Sequence, residues 1–188
     1  MKLVLVRHGK TPANEKHLYC GKTDIGLSDA GIAELKRKTV SPVGFDPAKM
    51  RVLTSGMKRC DETLALLFGD LPHEADPAFR EMDFGQFEMR SYEEMKNDPD
   101  YIAWISGDNE ANIAPGGESG KIMQARVLEG LGRLTADRRD TLLVTHGGVI
   151  AVIMAALFPS EGKNRYEWQP KPGHGYVVDT KAMTHDSF

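Results

Sequence analysis

The chain opens Lys2-Leu3-Val4-Leu5-Val6-Arg7-His8-Gly9, and near its other end it runs Thr141-Leu142-Leu143-Val144-Thr145-His146-Gly147-Gly148. Each is a short aliphatic, β-branched run that ends on His-Gly, too short for a helix and bounded by charge or glycine, which predicts a strand. Residues 52–54 and 176–178 read the same way. Between the runs lie helical patterns. Residues 28–40 open on a capping Ser28 with Asp29 in the first turn, and residues 58–68 place Cys60, Leu64 and Leu67 on one face. A longer helix carries Ile122, Ala125, Leu128, Leu131 and Leu134 as its apolar stripe, and residues 149–158 are apolar all round and therefore predicted buried. Strand alternating with helix predicts an α/β fold with a mostly parallel sheet, one domain spanning residues 1–188.

Residues 84–118 break this rhythm. They hold a capping box at Ser91 and Glu94, a turn signal at Asp98-Pro99 and an exit at Pro115-Gly116-Gly117. They read as a small helical lid inserted over the sheet.

The 188 residues carry 24 Lys and Arg against 27 Asp and Glu, a net charge of -3. That balance lacks the basic footprint of a protein bound to nucleic acid or to an anionic membrane surface, and predicts a small-molecule ligand. The apolar run at 149–158 is too short to span a bilayer and the run at 3–6 too short for a signal peptide, so a cytoplasmic protein is expected. Cys20 and Cys60 form no CxxC or paired framework and are expected to be reduced thiols.

In open α/β sheets ligands gather beyond the carboxyl ends of the strands. Arg7 and His8 follow the first strand, His146 follows the strand at 141–145, and residues 52–54 lead through Ser55 to Arg59. If these strands are parallel, two imidazoles and two guanidiniums meet at one edge. Arg forks match phosphoryl oxygens bidentately, and the glycines after each His let backbone N–H groups approach the same anion. Phosphate is the natural guest. Each residue alone has a plainer reading: a surface histidine, a solvated arginine at a helix start, an exposed loop carboxylate at Glu81 with Asp83 as its rival. Their coincidence is what argues for a site.

Arg7-His8-Gly9 with Thr11 and Asn14, Gly21 with Asp24, Leu27, Ser28 and Gly31, Ser55 to Arg59 with Thr63, Glu81 with Phe84-Gly85, Pro115 to Ser119, and Thr145 to Gly148 together resemble the histidine phosphatase superfamily, also called phosphoglycerate mutase-like. The resemblance spans almost the whole chain. It implies a three-layer αβα sandwich, His8 as nucleophile and phosphohistidine carrier, and Arg7, Arg59 and His146 as phosphoryl ligands. It further implies Asn14 and the Gly147 amide as supporting donors, Gly21 as part of the substrate-binding segment, and Glu81 as proton donor, with no metal and no cofactor. Chemistry supports that cast: neutral imidazole attacks phosphorus in line, two Arg and a protonated His146 neutralise the equatorial oxygens, and an acid serves the departing alkoxide. Glu81 then has to carry a proton, which repulsion from a bound phosphate dianion would favour.

Four stretches depart from the family's usual residues: Lys10, Ser55-Gly56-Met57, Cys60 and Phe87-Glu88-Met89. Residues 84–118 hold eight acidic side chains against two basic, which disfavours polyanionic ligands. Phe84, Phe87, Met89, Tyr92, Met95, Tyr101 and Trp104 in that segment either form an apolar wall for a ring system or fasten the segment to the sheet. The stretches at 87–94 and 168–176 resemble the α-ribazole phosphatase-like branch, which implies a small phosphorylated metabolite, α-ribazole 5'-phosphate of the cobalamin pathway. The alternatives are a cofactor-dependent phosphoglycerate mutase, a metallohydrolase built on the two histidines and nearby carboxylates, and a phospho-ligand binding module without catalysis. Self-association stays open. The P-loop look of residues 116–121 is a decoy, since Ile122 stands where Ser or Thr is needed and no strand precedes it. His174 lies before the last predicted strand, within possible reach of the pocket.

Overall fold

The computed structural model describes residues 1–38, 45–108 and 110–188. In chain order its elements are β1 (Lys2–Arg7), α1 (Pro12–Glu15), α2 (Asp29–Arg37), β2 (Arg51–Thr54), α3 (Lys58–Phe68), β3 (Glu74–Ala75), α4 (Tyr92–Met95), α5 (Pro99–Ile105), α6 (Gly120–Asp137), β4 (Thr141–Thr145), α7 (Gly147–Leu157), β5 (Gly175–Asp179) and β6 (Thr184–Ser187). The six strands form one sheet in the order β3-β2-β4-β1-β5-β6. β1, β2, β3 and β4 pair in parallel, while β5 and β6 join antiparallel at one side.

Period-two alternation builds the three layers. Leu3 and Leu5 of β1 and Leu143 of β4 point into a core shared with Val127, Leu131 and Leu134 of α6 and Ile150 and Ile153 of α7. Val4, Val6, Leu142 and Val144 point to the opposite face, against Cys60 and Leu64 of α3. The sheet is thus covered on both faces, as the continuous aliphatic runs of β1 and β4 require. α2 starts where Ser28 Oγ accepts the Gly31 N–H at 3.1 Å.

Three expectations need correction. The helix expected over 28–40 ends at Arg37, and Val40 lies outside the described residues. The buried stripe of α6 is Met123, Val127, Leu131 and Leu134, whereas Ile122 and Leu128 are exposed. A strict three-residue spacing slips by about 60° around a helix at each step, so five such residues cannot share one face. Asp98-Pro99 starts a helix instead of making a turn: Asp98 caps α5 by accepting the Asp100 N–H, with Pro99 in its first turn. Two strands were also unforeseen. β3 has two exposed residues and β6 reads Thr-His-Asp-Ser; both are edge strands held by backbone pairing, with no apolar alternation to read.

Residues 84–118 lie around a small core of Phe87, Met95, Tyr101 and Ala114. No helix among the described residues is long and apolar enough to cross a membrane.

Leu143 is fully buried in the central strand β4. Leu143→Ala should lower unfolding free energy by about 2–5 kcal/mol, read as a lower urea midpoint at unchanged slope. A loss below about 1 kcal/mol would contradict this packing.

Candidate active site

Strand register assembles the site. Arg7 pairs with Thr145 across β1 and β4, and Thr54 pairs with Val144 across β2 and β4. The residues that follow, His8, His146 and Ser55, therefore emerge side by side at the carboxyl edge. Two further backbone bonds extend the ladder: His8 N–H to Thr145 O at 2.9 Å and Ser55 N–H to Val144 O at 3.2 Å. The rings of His8 and His146 lie edge to face with centroids 5.2 Å apart.

His8 Nδ1 lies 2.7 Å from the Gly9 carbonyl oxygen. Only a donor suits that position, so the proton sits on Nδ1 and Nε2 keeps its lone pair. Burial, then the Arg59 and Arg7 charges, hold the His8 pKa at about 3. His8 is thus neutral across the physiological range, with an Nε2 lone pair able to attack an electrophile.

His146 is fully buried, and burial followed by Arg59, His8 and Arg7 pushes its pKa well below the ordinary imidazole value. Away from water and between two guanidiniums a second cation is costly, so the protonated His146 expected above is disfavoured until an anion sits beside it. Its Nε2 lies 2.9 Å from Ser55 Oγ, while Nδ1 is buried without a protein partner. With Ser55 donating to Nε2, the ring proton falls on Nδ1 and makes a neutral donor for an anion. Cys60 Sγ sits 3.2 Å from Ser55 Oγ and 3.7 Å from His146 Nε2; burial pushes its thiol up to about 12, so it contributes no thiolate. Both cysteines are free thiols.

Arg59 is only 1% exposed. Its Nη1 and Nη2 donate to Thr23 O at 2.9 Å and Gly21 O at 2.7 Å. Arg7 Nη1 donates to Pro170 O at 2.9 Å, and its buried Nε has no protein partner. The unmet donors Arg7 Nε and His146 Nδ1 fit a bound oxyanion.

Glu81 closes another side. Its Oε2 accepts the Gly148 N–H and its Oε1 the Met82 N–H, both at 3.0 Å, so the carboxylate rests on the positive N-terminus of α7. A Cβ at Gly148 would stand 2.5 Å from Glu81 Oε1 and one at Gly147 3.0 Å from Arg7 Cζ, so a side chain at either position would displace a group of the site. Asp83, the rival acid, binds Lys22 Nζ at 3.1 Å and the Gly85 N–H at 2.8 Å. Glu118 is paired with Arg126 at 2.8 Å.

Other expected residues stand further out. Gly21 supports Arg59 through its carbonyl, and a Cβ there would overlap Met82 O at 1.6 Å. Asn14 Oδ1 accepts from the Thr11 N–H and hydroxyl at 3.0 Å each, and the side chain shares a groove with Arg7 and Lys10. The Gly9 N–H is taken by Thr63 Oγ1 at 2.9 Å, so of the glycine amides expected near the anion, that of Gly147, first in α7, is the open one. His174 Nδ1 faces Phe188 O at 2.9 Å and serves the chain end.

Two supports were not foreseen. Glu88 accepts the N–H groups of Gly21, Lys22, Thr23 and Phe84 and the Thr23 hydroxyl at 2.6–3.2 Å, which orders the carbonyls that hold Arg59. Arg126 of α6 donates to the carbonyls of Ala78, Arg80 and Glu81 and to Glu118, fixing the segment that presents Glu81. Glu88 had a signal in the Phe-Glu-Met stretch; Arg126 had none, lying on a helix as an ordinary charged residue.

Fold and site together define an α/β protein with a paired-histidine, paired-arginine oxyanion centre. The chain belongs to the histidine phosphatase superfamily (branch 1), whose model matches residues 3–184. It is 30% identical to the adenosylcobalamin/alpha-ribazole phosphatase of Salmonella typhimurium, over 95% of this chain and 90% of that protein. A crystal structure of a putative alpha-ribazole-5'-P phosphatase from Escherichia coli superposes with a TM-score of 0.85 at 29% identity, covering 100% of this chain and 94% of that one. A 2,3-bisphosphoglycerate-dependent phosphoglycerate mutase from Xanthobacter autotrophicus is 28% identical over 82% of this chain and 80% of its own length.

Burying both imidazoles neutral links stability to pH. His8 binds no proton in the folded protein until about pH 3, whereas the unfolded chain takes one near 6.5, so stability present above 6.5 is lost as pH falls through that window. Urea unfolding at about pH 7 and about pH 5 should show this decline, and His8→Asn should make it shallower. Equal declines in both proteins would refute the assignment.

Proposed function

We propose that the protein is a phosphomonoester hydrolase that works through a phosphohistidine on His8. The supporting observation is the neutral His8, with its free Nε2 lone pair, set beside Arg7, Arg59 and His146. Nε2 attacks phosphorus in line as the ester P–O bond breaks, and Glu81, which carries a proton once the phosphate dianion sits beside it, passes that proton to the departing oxygen. The Gly9 carbonyl, already bound to Nδ1–H, stabilises the positive charge that forms on the ring. Arg7, Arg59, His146 and the Gly147 N–H take the equatorial oxygens, with Asn14 assisting from the groove. Water then attacks phosphorus, Glu81 as carboxylate takes its proton, the P–N bond breaks, and inorganic phosphate leaves. Residues 84–118 act as the lid of this single domain.

The substrate that best fits is α-ribazole 5'-phosphate: the Salmonella relative is named an adenosylcobalamin/alpha-ribazole phosphatase, and the Escherichia coli structure is that of a putative alpha-ribazole-5'-P phosphatase. A mutase reading is weaker because the nearby lysines are already paired, Lys10 with Glu34 at 2.9 Å and Lys22 with Asp83 at 3.1 Å. That leaves little free positive charge for a bisphosphorylated carboxylate. Hydrolysis rates for α-ribazole 5'-phosphate and 3-phosphoglycerate, with a parallel test for phosphoryl transfer to 2-phosphoglycerate, decide between them.

Rapid acid quench should trap phosphate on His8, His8→Ala should abolish turnover while leaving the fold intact, and Arg59→Ala should cost roughly 100-fold or more in kcat. Label on another residue, or an active His8→Ala, would overturn the mechanism. Glu81→Gln should slow an alkyl phosphate far more than p-nitrophenyl phosphate, whose leaving group needs no proton. Equal losses on the two esters would remove Glu81 from the acid role, and the same comparison with Asp83→Asn would show whether the neighbour fills it.

A further inference from the structure

On the Nε2 side of His146 three hydrogen-bonding side chains close a triangle. Ser55 Oγ lies 2.9 Å from His146 Nε2, Cys60 Sγ lies 3.2 Å from Ser55 Oγ and 3.7 Å from His146 Nε2, and all three residues are fully buried. Among the described residues Ser55 Oγ has no other hydrogen-bond partner. On its other side the ring presents Nδ1, buried and unpartnered. The charged and titratable groups that face the ring are Arg7 and His8 at the end of β1, Arg59 and Cys60 of α3, Arg126 of α6, and Glu81 at the start of α7.

A hydroxyl and a thiol each carry one hydrogen and accept another, so this triangle has two complete arrangements. With His146 neutral, Cys60 S–H points to Ser55 Oγ, Ser55 O–H points to Nε2, and the ring hydrogen stays on Nδ1. With His146 charged, both ring nitrogens carry hydrogen. Nδ1–H then serves the oxyanion, Nε2–H donates to Ser55 Oγ, and Ser55 turns its own hydrogen to Cys60 Sγ. The thiol hydrogen loses its bond, a small loss for so weak a donor. Burial pushes the Cys60 thiol up to about 12, so it keeps its hydrogen in both arrangements. An apolar side chain at position 60 would serve the first arrangement only. In the second it would leave the Ser55 O–H buried with nothing to donate to, and an unmet buried donor is costly.

We propose that Ser55 and Cys60 are positioning residues that let His146 gain a proton when a phosphoryl anion arrives, while its Nδ1–H stays on that anion throughout. The proton comes from solvent; the hydroxyl and the thiol keep theirs and only rotate. The anion supplies the drive, because its charge offsets the two guanidiniums that disfavour a further cation in the empty centre. The proposal rests on the hydrolase reading above for the phosphoryl group beside His146, and adds the device that lets the buried imidazole answer it.

The test follows the His146 ring nitrogens by heteronuclear NMR in protein labelled at histidine nitrogen, assigned against His146→Gln, with and without saturating inorganic phosphate, from about pH 5 to about pH 10. The free wild type should show a neutral ring with hydrogen on Nδ1. Its phosphate complex should show hydrogen on both nitrogens and lose one as pH rises. In Cys60→Ala that loss should come about one pH unit lower, a roughly tenfold weaker hold on the proton, with the free ring unchanged. Cys60→Ser, whose hydroxyl also donates and accepts, should restore the wild-type midpoint, and Ser55→Ala should lower it at least as far as Cys60→Ala. The alkaline limb of the kcat profile should move with these midpoints, whereas loss of packing alone would lower the rate at every pH and leave the limb in place. A ring that stays neutral in the wild-type complex, an unmoved midpoint in Cys60→Ala, or no recovery in Cys60→Ser overturns the proposal, and the hydrolase reading stands if phosphomonoesters still turn over through His8. If His146 charges and responds to Cys60 as expected but no phosphomonoester turns over, the hydrolase reading fails and the role of Ser55 and Cys60 remains.

Discussion

Parallel pairing of β4 between β1 and β2 is the constraint on which the rest of the structure depends. Because Arg7 lies opposite Thr145 and Thr54 opposite Val144, the next residue of each strand leaves the sheet at nearly the same height. A one-residue slip would turn every side chain of a strand to the opposite face, exchanging Leu3 and Leu5 with Val4 and Val6 between the two helical layers. The same packing that specifies the core therefore specifies the distance between His8 and His146. The geometry of the candidate site comes from the sheet, and the loops supply what surrounds it.

Placing two imidazoles and two guanidiniums in one buried cluster sets the electrostatics of the centre. Both rings are held neutral by burial and by the neighbouring cations, so the positive charge available to an anion resides on Arg7 and Arg59, with Glu81 as the counter-charge. Buried guanidiniums need partners. Arg59 finds them in the Gly21 and Thr23 carbonyls, and those carbonyls are ordered in turn by Glu88. The segment at 84–118 thus reaches the oxyanion centre through a chain of charge-assisted hydrogen bonds. Arg126 performs the matching task for Glu81 from the opposite helical layer.

The departures from the family's usual residues have local explanations in part. Cys60 fills the buried space beside Ser55 and His146 and donates no charge there. Met89 takes a left-handed conformation at φ 59, a position that suits the glycine the family more often has. Lys10 pairs with Glu34 on α2 and lies along the groove that holds Asn14. Nothing in the structure explains Met57 in place of the more usual leucine beyond its burial in the core.

The sequence by itself determined the α/β class, the four longer strands, the helices at 58–68 and near 147–157, and the ordered motifs that mark His8, Arg59, Glu81 and His146. These were legible because aliphatic alternation, capping residues and short motifs are local, and local pattern is what burial and backbone geometry impress on a chain. The tertiary structure alone decided the burial of His146 and its hydrogen bond with Ser55, the face that α6 buries, the short edge strands, and the supporting roles of Glu88 and Arg126. It also separated the rings that fasten 84–118, Phe87 and Tyr101, from Phe84 and Trp104, which line a cavity with Tyr19 and Tyr166. Each of these depends on groups far apart in the chain: desolvation by layers packed from elsewhere, carbonyls presented by another loop, or pairing of one backbone with another. Residue type and spacing carry no record of such distances, so only the folded chain could resolve them.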